Sequence, residues 1–164
     1  MNRLIAGIDR TNDIIGWIFA PLIAVLALVV VYDVLLRFFT GRPSDWVFDA
    51  TTLIFGAHFM LLAAFTLRHR AHVEVDVVKR LASRRVQAIL DILGYVLFFA
   101  PFMAVYIYYG FQFAERSWRF QETTSGIVDL PVYPIKMIMV GIGFLLALQA
   151  VALVLRAVQT AREG

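Results

Sequence analysis

Residues 14–32, 50–67, 92–114 and 137–155 contain no Asp, Glu, Lys or Arg, in runs of 19, 18, 23 and 19 residues. A helix of about 20 residues crosses the roughly 30 Å hydrocarbon core of a bilayer. Four such runs in 164 residues leave only short connections between them. They predict an all-α integral membrane protein with four transmembrane helices and no soluble domain to host chemistry. The chain then works inside the membrane or serves a partner there. Hydrophobic residues make up 61% of the chain, against about 45–50% for soluble domains, and the surplus is surface for lipid or other membrane helices. The formal charge of +3 sits at helix ends, where it reports topology rather than nucleic-acid binding. The absence of Cys removes disulfides, iron–sulfur clusters and Cys-based zinc sites.

The chain reads as one membrane domain, 1–164, with spans at about 14–39, 46–67, 86–113 and 134–155. Residues 1–13 read as a short amphipathic lead-in, with Leu4, Ile5 and Ile8 on one face and Arg3, Asp9, Arg10 and Asp13 polar. The first apolar run is too long for a cleavable signal peptide and is expected to be an uncleaved span. Pro21 and Pro101 fall inside spans and predict kinks. Gly41 can close the first span, and Ser44 or Asp45 can cap the second. Between spans 2 and 3, Val73, Val77, Val78 and Leu81 fit one helical face, while Val73, Val75 and Val77 alternate like a strand. A lone strand beside a bilayer has no partner for its edges. The segment at about 72–84 is therefore expected to be an amphipathic helix lying in the interface, with its Lys and Arg among the headgroups.

Orientation follows from the basic residues. With four spans, both termini share a side with the connection between spans 2 and 3. That side holds ten Lys or Arg: Arg3, Arg10, Arg68, Arg70, Lys79, Arg80, Arg84, Arg85, Arg156 and Arg162. The other holds five: Arg37, Arg42, Arg116, Arg119 and Lys136. The positive-inside rule places the ten, and both termini, in the cytoplasm. Arg68, Arg70, Lys79, Arg80, Arg84 and Arg85 are expected as headgroup anchors, with Trp118 and Tyr133 anchoring the outward ends.

Few constellations could carry chemistry. A bis-His haem needs two imidazoles from facing helices at one depth. His58 lies mid-span, but the other three spans have no His. His69 and His72 have basic neighbours and supply at most two metal ligands. No cofactor and no metal is expected. Asp33 and Arg37, four apart with the acid first, form the favoured helical ion pair and can also contact a partner subunit. Asp49 and Asp91 lie near helix N-termini, where negative charge is favoured. The midplane residues are apolar, and the two-span halves are not inverted repeats of the kind that frame a solute site. No nucleophile–base pair or phosphate loop is present, and no enzyme is expected. A haem- or quinone-holding anchor of a redox complex and a self-sufficient small carrier are the competing classes. A Soret band, or uptake by the chain alone in vesicles, would identify them.

Several ordered pieces carry a family resemblance. They are Asp33-Val34-Leu35-Leu36-Arg37-Phe38, then Pro43-Ser44-Asp45-Trp46-Val47-Phe48-Asp49, then Arg68-His69-Arg70-Ala71-His72-Val73-Glu74-Val75-Asp76. Glu122-Thr123-Thr124-Ser125, Leu130-Pro131 and a span beginning near Lys136 complete the set. In order, spacing and fit to four spans, the chain resembles the small (Q-type) membrane subunit of tripartite ATP-independent periplasmic (TRAP) transporters. Where that family usually has Glu after the Trp of this loop, the chain has Asp49, which keeps the charge with a shorter reach. The resemblance implies a multi-pass subunit of a bacterial or archaeal inner membrane that binds no substrate. It would scaffold a large multi-span subunit for sodium-coupled uptake of an organic acid delivered by a periplasmic binding protein. The implied partner-interface candidates are Asp33, Arg37, Trp46, Asp49, His72, Asp76 and Glu122. Small residues such as Ala20, Ala24, Gly56, Gly141 and Gly143 are expected where the large subunit packs closely.

Overall fold

The computed structural model describes residues 2–69 and 83–163. They form α1 (Asn2–Phe19), α2 (Leu22–Thr40), α3 (Val47–Arg68), α4 (Arg84–Gly94), a π-helical turn (Tyr95–Phe99), α5 (Ala100–Arg119) and α6 (Tyr133–Glu163). By length and composition, four helical stretches can cross a membrane: Ile5–Thr40, Val47–Arg68, Arg85–Arg119 and Tyr133–Ala161. The expected interfacial helix at 72–84 lies almost wholly outside the described residues, as do Arg70, His72, Asp76, Lys79 and Arg80.

The first span differs from its sequence reading. Residues 2–13 are not a separate lead-in; they are the first two-thirds of α1. Ile5, Asp9, Asn12 and Gly16 are buried, and their spacing of four, three and four places them on one stripe. The buried face is therefore half polar, and Ile8 lies at its edge, half-buried. The stripe packs on α3 and α6. Gly16 is required there, because a Cβ would overlap the ring of Phe65.

α2 is apolar nearly all round and has no buried residue. It leans on α3. Gly41 ends it at φ 71°, its N–H returning to the Arg37 carbonyl at 2.9 Å, the left-handed closure that glycine adopts without strain. Neither Ser44 nor Asp45 caps α3; Trp46 occupies that position without a side-chain cap. Ser44 is committed elsewhere, its N–H donating to Asp33 Oδ1 at 2.8 Å.

α6 is the hub, packing on α3, α4, α5 and α1. Gly110 of α5 and Gly143 of α6 let these two helices approach. A Cβ on Gly143 would stand 3.0 Å from Tyr106 and 3.2 Å from Ile107. Gly143, expected at the interface with a partner subunit, is therefore spent inside this bundle. At Gly56 and Gly141 a Cβ would meet nothing within 4 Å, and Ala24 is exposed.

Two contacts set the depth of each element. Asp9 lies beside Arg68, and the rings of Tyr32 and Trp46 are 6.1 Å apart. The 23 residues from Asp9 to Tyr32 and the 22 from Trp46 to Arg68 each rise about 33–35 Å, close to a bilayer's hydrocarbon thickness. One end of the bundle therefore carries the loops at 41–46 and 120–132, and the other carries the chain termini.

Candidate partner-docking site

At the loop end, the last turns of α2, the turn after Gly41 and the first turn of α3 frame an open cleft of about 800 Å³. Asp33 organises it. One carboxylate oxygen receives Arg37 Nη2 at 3.1 Å, and the other receives the Ser44 N–H at 2.8 Å. The helical ion pair expected from the sequence thus also pins the turn to the helix. Asp49, half-buried in the first turn of α3, accepts from the Thr124 hydroxyl at 3.2 Å. Gly126 lies so close to this carboxylate that a Cβ would collide with it. The 120–132 loop is thereby clamped over the cleft, and Gly126 and Ile127 join its lining.

The loop is held by its own backbone. The Thr124 N–H donates to the Leu130 carbonyl at 2.8 Å, and the Val132 N–H to Glu122 at 2.9 Å. Gln121 turns the chain at φ 49°, in the left-handed region. Glu122 accepts from Lys136 Nζ at 2.5 Å, and Lys136 also sits 3.9 Å from the centre of the Phe113 ring. Bonding to Lys136 holds the Glu122 carboxyl below its ordinary pKa, since the pairing favours the charged form. Trp118 and Tyr133 meet edge to face, ring centres 4.9 Å apart.

The cleft lining combines three acids, Asp33, Asp45 and Asp49, with one base, Arg37, over a floor that includes Val30, Val34 and Val47. Among the sequence candidates, Asp33, Arg37 and Asp49 meet here, with Trp46 beside them, 38% exposed. Glu122 lies on the flank, in the ion pair described above. His72 and Asp76 lie outside the described residues.

Sequence reasoning missed a second constellation, at the terminal end. Asp9 is 6%, Asn12 1% and Gln149 0% exposed. Asn12 Nδ2 donates to Gln149 Oε1 at 2.6 Å, and Gln149 Nε2 donates to Asp9 Oδ1 at 3.1 Å. Arg156 Nη2 closes on Asp9 Oδ2. Arg68 donates to the Asp9 carbonyl at 2.7 Å, pairs with Asp13, and reaches Asp9 Oδ1 at 3.6 Å. His69 lies 3.2 Å from Asp13. Arg68, expected among the headgroups, instead turns inward, because two carboxylates of α1 face it. Two acids and two arginines from three helices neutralise each other and tie α1 to α3 and α6. The available signal was Gln149, a lone amide within an uncharged run, and the polar pair Asp9 and Asn12 on the stripe of Ile5 and Gly16.

Among the described residues, no three His, Asp or Glu gather closely enough to hold a metal ion. His58 is buried, and its Nδ1 has no partner.

The family model of the DctQ component of tripartite ATP-independent periplasmic transporters matches residues 26–160. The chain belongs to the DctQ family. It is a small membrane subunit of a TRAP transporter, a multi-pass protein of the inner membrane. Such transporters comprise this component, a large membrane subunit and a binding protein. No curated protein and no solved structure matches the chain. The cleft lies inside the matched stretch, whereas α1 and Pro21 precede it.

Proposed function

We propose that this DctQ-family chain is a non-catalytic scaffold. It would hold the large subunit in place during sodium-coupled uptake of an organic acid brought by the periplasmic binding protein. The observation carrying this reading is α2, the loop-end half of the first span, which has no buried residue. Leu28, Val34, Phe38 and Phe39 on it are between 59% and 80% exposed. A subunit that packs this half of its first span so lightly on its own bundle offers a wall to another protein. Transport by moving one body through a bilayer needs a second body that stays put. The acidic cleft prolongs that wall to the membrane surface and supplies polar links, which specify packing where lipid gives no hydrophobic drive.

In this reading both termini are cytoplasmic, the orientation that the distribution of Lys and Arg favours. A cysteine placed at Arg85 should then resist impermeant thiol reagents added outside intact cells, while one at Ser125 should react. Labelling at Arg85 alone would reverse the orientation.

The docking role is tested with Arg37→Glu. Reversal sets two carboxylates four residues apart and removes the cleft's single base. Recovery of the large subunit with the tagged chain in mild detergent should fall several-fold, with the yield of the small subunit maintained. Unchanged recovery and uptake would reduce the Asp33–Arg37 pair to a brace for the turn at 41–46.

A further inference from the structure

Proline interrupts two of the membrane helices, and only one interruption is repaired among the described residues. Pro101 follows the π-helical turn Tyr95–Phe99, where the Ala100 N–H reaches back five residues to the Tyr95 carbonyl. That local widening is a recognised accommodation of a missing amide.

Around Pro21 the ladder tightens to i→i−3 bonds instead, and these do not reach the Trp17 and Ile18 carbonyls. α1 stops at Phe19, and α2 starts at Leu22. The Ala20 N–H donates to Gly16 at 2.8 Å, and the next donations are Ile23 to Ala20 at 3.5 Å and Ala24 to Pro21 at 2.9 Å. Pro21 has no N–H to give the Trp17 carbonyl, and the Leu22 N–H does not bond to Ile18. Among the described residues, nothing donates to either carbonyl.

The place makes this expensive. Pro21 is 12 residues from Asp9 and 11 from Tyr32, the two depth markers at opposite membrane boundaries, so the break lies near the bilayer centre. There, lipid has no donor, and irregular backbone is tolerated only where protein or a water-filled cavity covers it. Trp17 is 73% and Ile18 63% exposed; Pro21 and Ala24 are exposed too. His58 Nδ1, at about the same depth on α3, makes no hydrogen bond to the break.

We propose that the break at Ala20–Pro21 seats one transmembrane helix of the large membrane subunit, which presents a neutral donor side chain (Ser, Thr, Asn or Gln) to the Trp17 and Ile18 carbonyls. The donor is neutral because a charge at the bilayer centre is costly. Ala20 and Ala24, four residues apart, keep the flank low enough for close approach. The seat rests on the reading of this chain as a scaffold for that subunit.

The test uses the full chain co-expressed with the large subunit. Pro21→Ala restores an N–H at the break and should let α1 run into α2. Circular dichroism of the variant should show unchanged or greater helicity, while recovery of the large subunit falls roughly three- to twentyfold, the range of interhelical hydrogen bonds in membranes. A photoreactive benzophenone residue replacing Ile18 should cross-link the large subunit in the unmodified background. Full recovery with Pro21→Ala, together with cross-links only to lipid or to a second copy of the chain, would overturn the proposal while leaving the scaffold reading intact. Absence of the large subunit from the unmutated preparation would overturn both.

Discussion

Replacing Asp9 with leucine should destabilise the protein by about 1–3 kcal/mol, the usual cost of leaving a buried hydrogen-bonding group without its partner, with little added by the partly exposed guanidinium. Asp9 is 6% exposed and accepts from both Arg156 and Gln149. Leucine would leave the Arg156 guanidinium, 40% exposed, without its carboxylate, and the Gln149 amide N–H buried without an acceptor. The lower part of the range is expected, because Arg68 keeps Asp13 and the Asp9 backbone carbonyl. Thermal unfolding in detergent would measure the loss. Trypsin cleavage at Arg10, exposed on α1, would report whether α1 leaves the bundle. A companion variant separates polar compensation from packing: Asp9→Leu with Asn12→Leu and Gln149→Leu leaves no buried amide of this network without a partner, Arg156 being 40% exposed, and should recover most of the stability. If the triple variant is no better than the single one, the network contributes shape rather than polar compensation.

Gly16→Ala should be the next most damaging change, although it adds a single methyl group. The added Cβ would overlap Cγ and Cδ2 of Phe65 and come within 2.9 Å of its Cβ. A contact that near the α3 backbone cannot be relieved by swinging a side-chain tip. α1 must move away from α3, or Phe65 must leave its rotamer, at about 1–3 kcal/mol. Phe65 also packs against His69, ring centres 4.4 Å apart, so displacement would pass to the Asp13–His69 contact. Thermal unfolding should show the loss, and Phe65→Ala in the same chain should recover part of it. An unshifted melting curve for Gly16→Ala would mean that α1 and α3 do not cross at this glycine.

Both changes fall in α1, where sequence pattern and tertiary packing part company. The polar residues of 1–13 read as the wet side of a short amphipathic lead-in, since Asp and Asn are ordinarily exposed. Asp9 and Asn12 are buried because Arg68, Gln149 and Arg156 arrive from two other helices, an event that no local pattern records. The loop end was more legible. The Asp33–Arg37 spacing foretells their bond, and Gly41 foretells the left-handed end of α2. Ser44 was legible as a loop residue but not as a donor to Asp33, because that bond depends on how the turn folds back. Asp49 carried the charge of the family pattern, yet its contact with Thr124 joins residues 75 positions apart.

The sequence by itself determined the number of spans, the two prolines and the family. Each follows from charge spacing, length and local backbone chemistry. Tertiary structure decided which side of each span faces inward. In a helix that is apolar on every face, period and hydropathy carry no such signal, because lipid and protein interior are equally apolar. Gly143 went to the contact with α5 and Gly141 to the surface, two residues apart, through the fit of Tyr106 and Ile107 alone. Tertiary structure likewise decided that Asp9, Asn12 and Gln149 would meet, and that the break at Pro21 would be left open toward the surface.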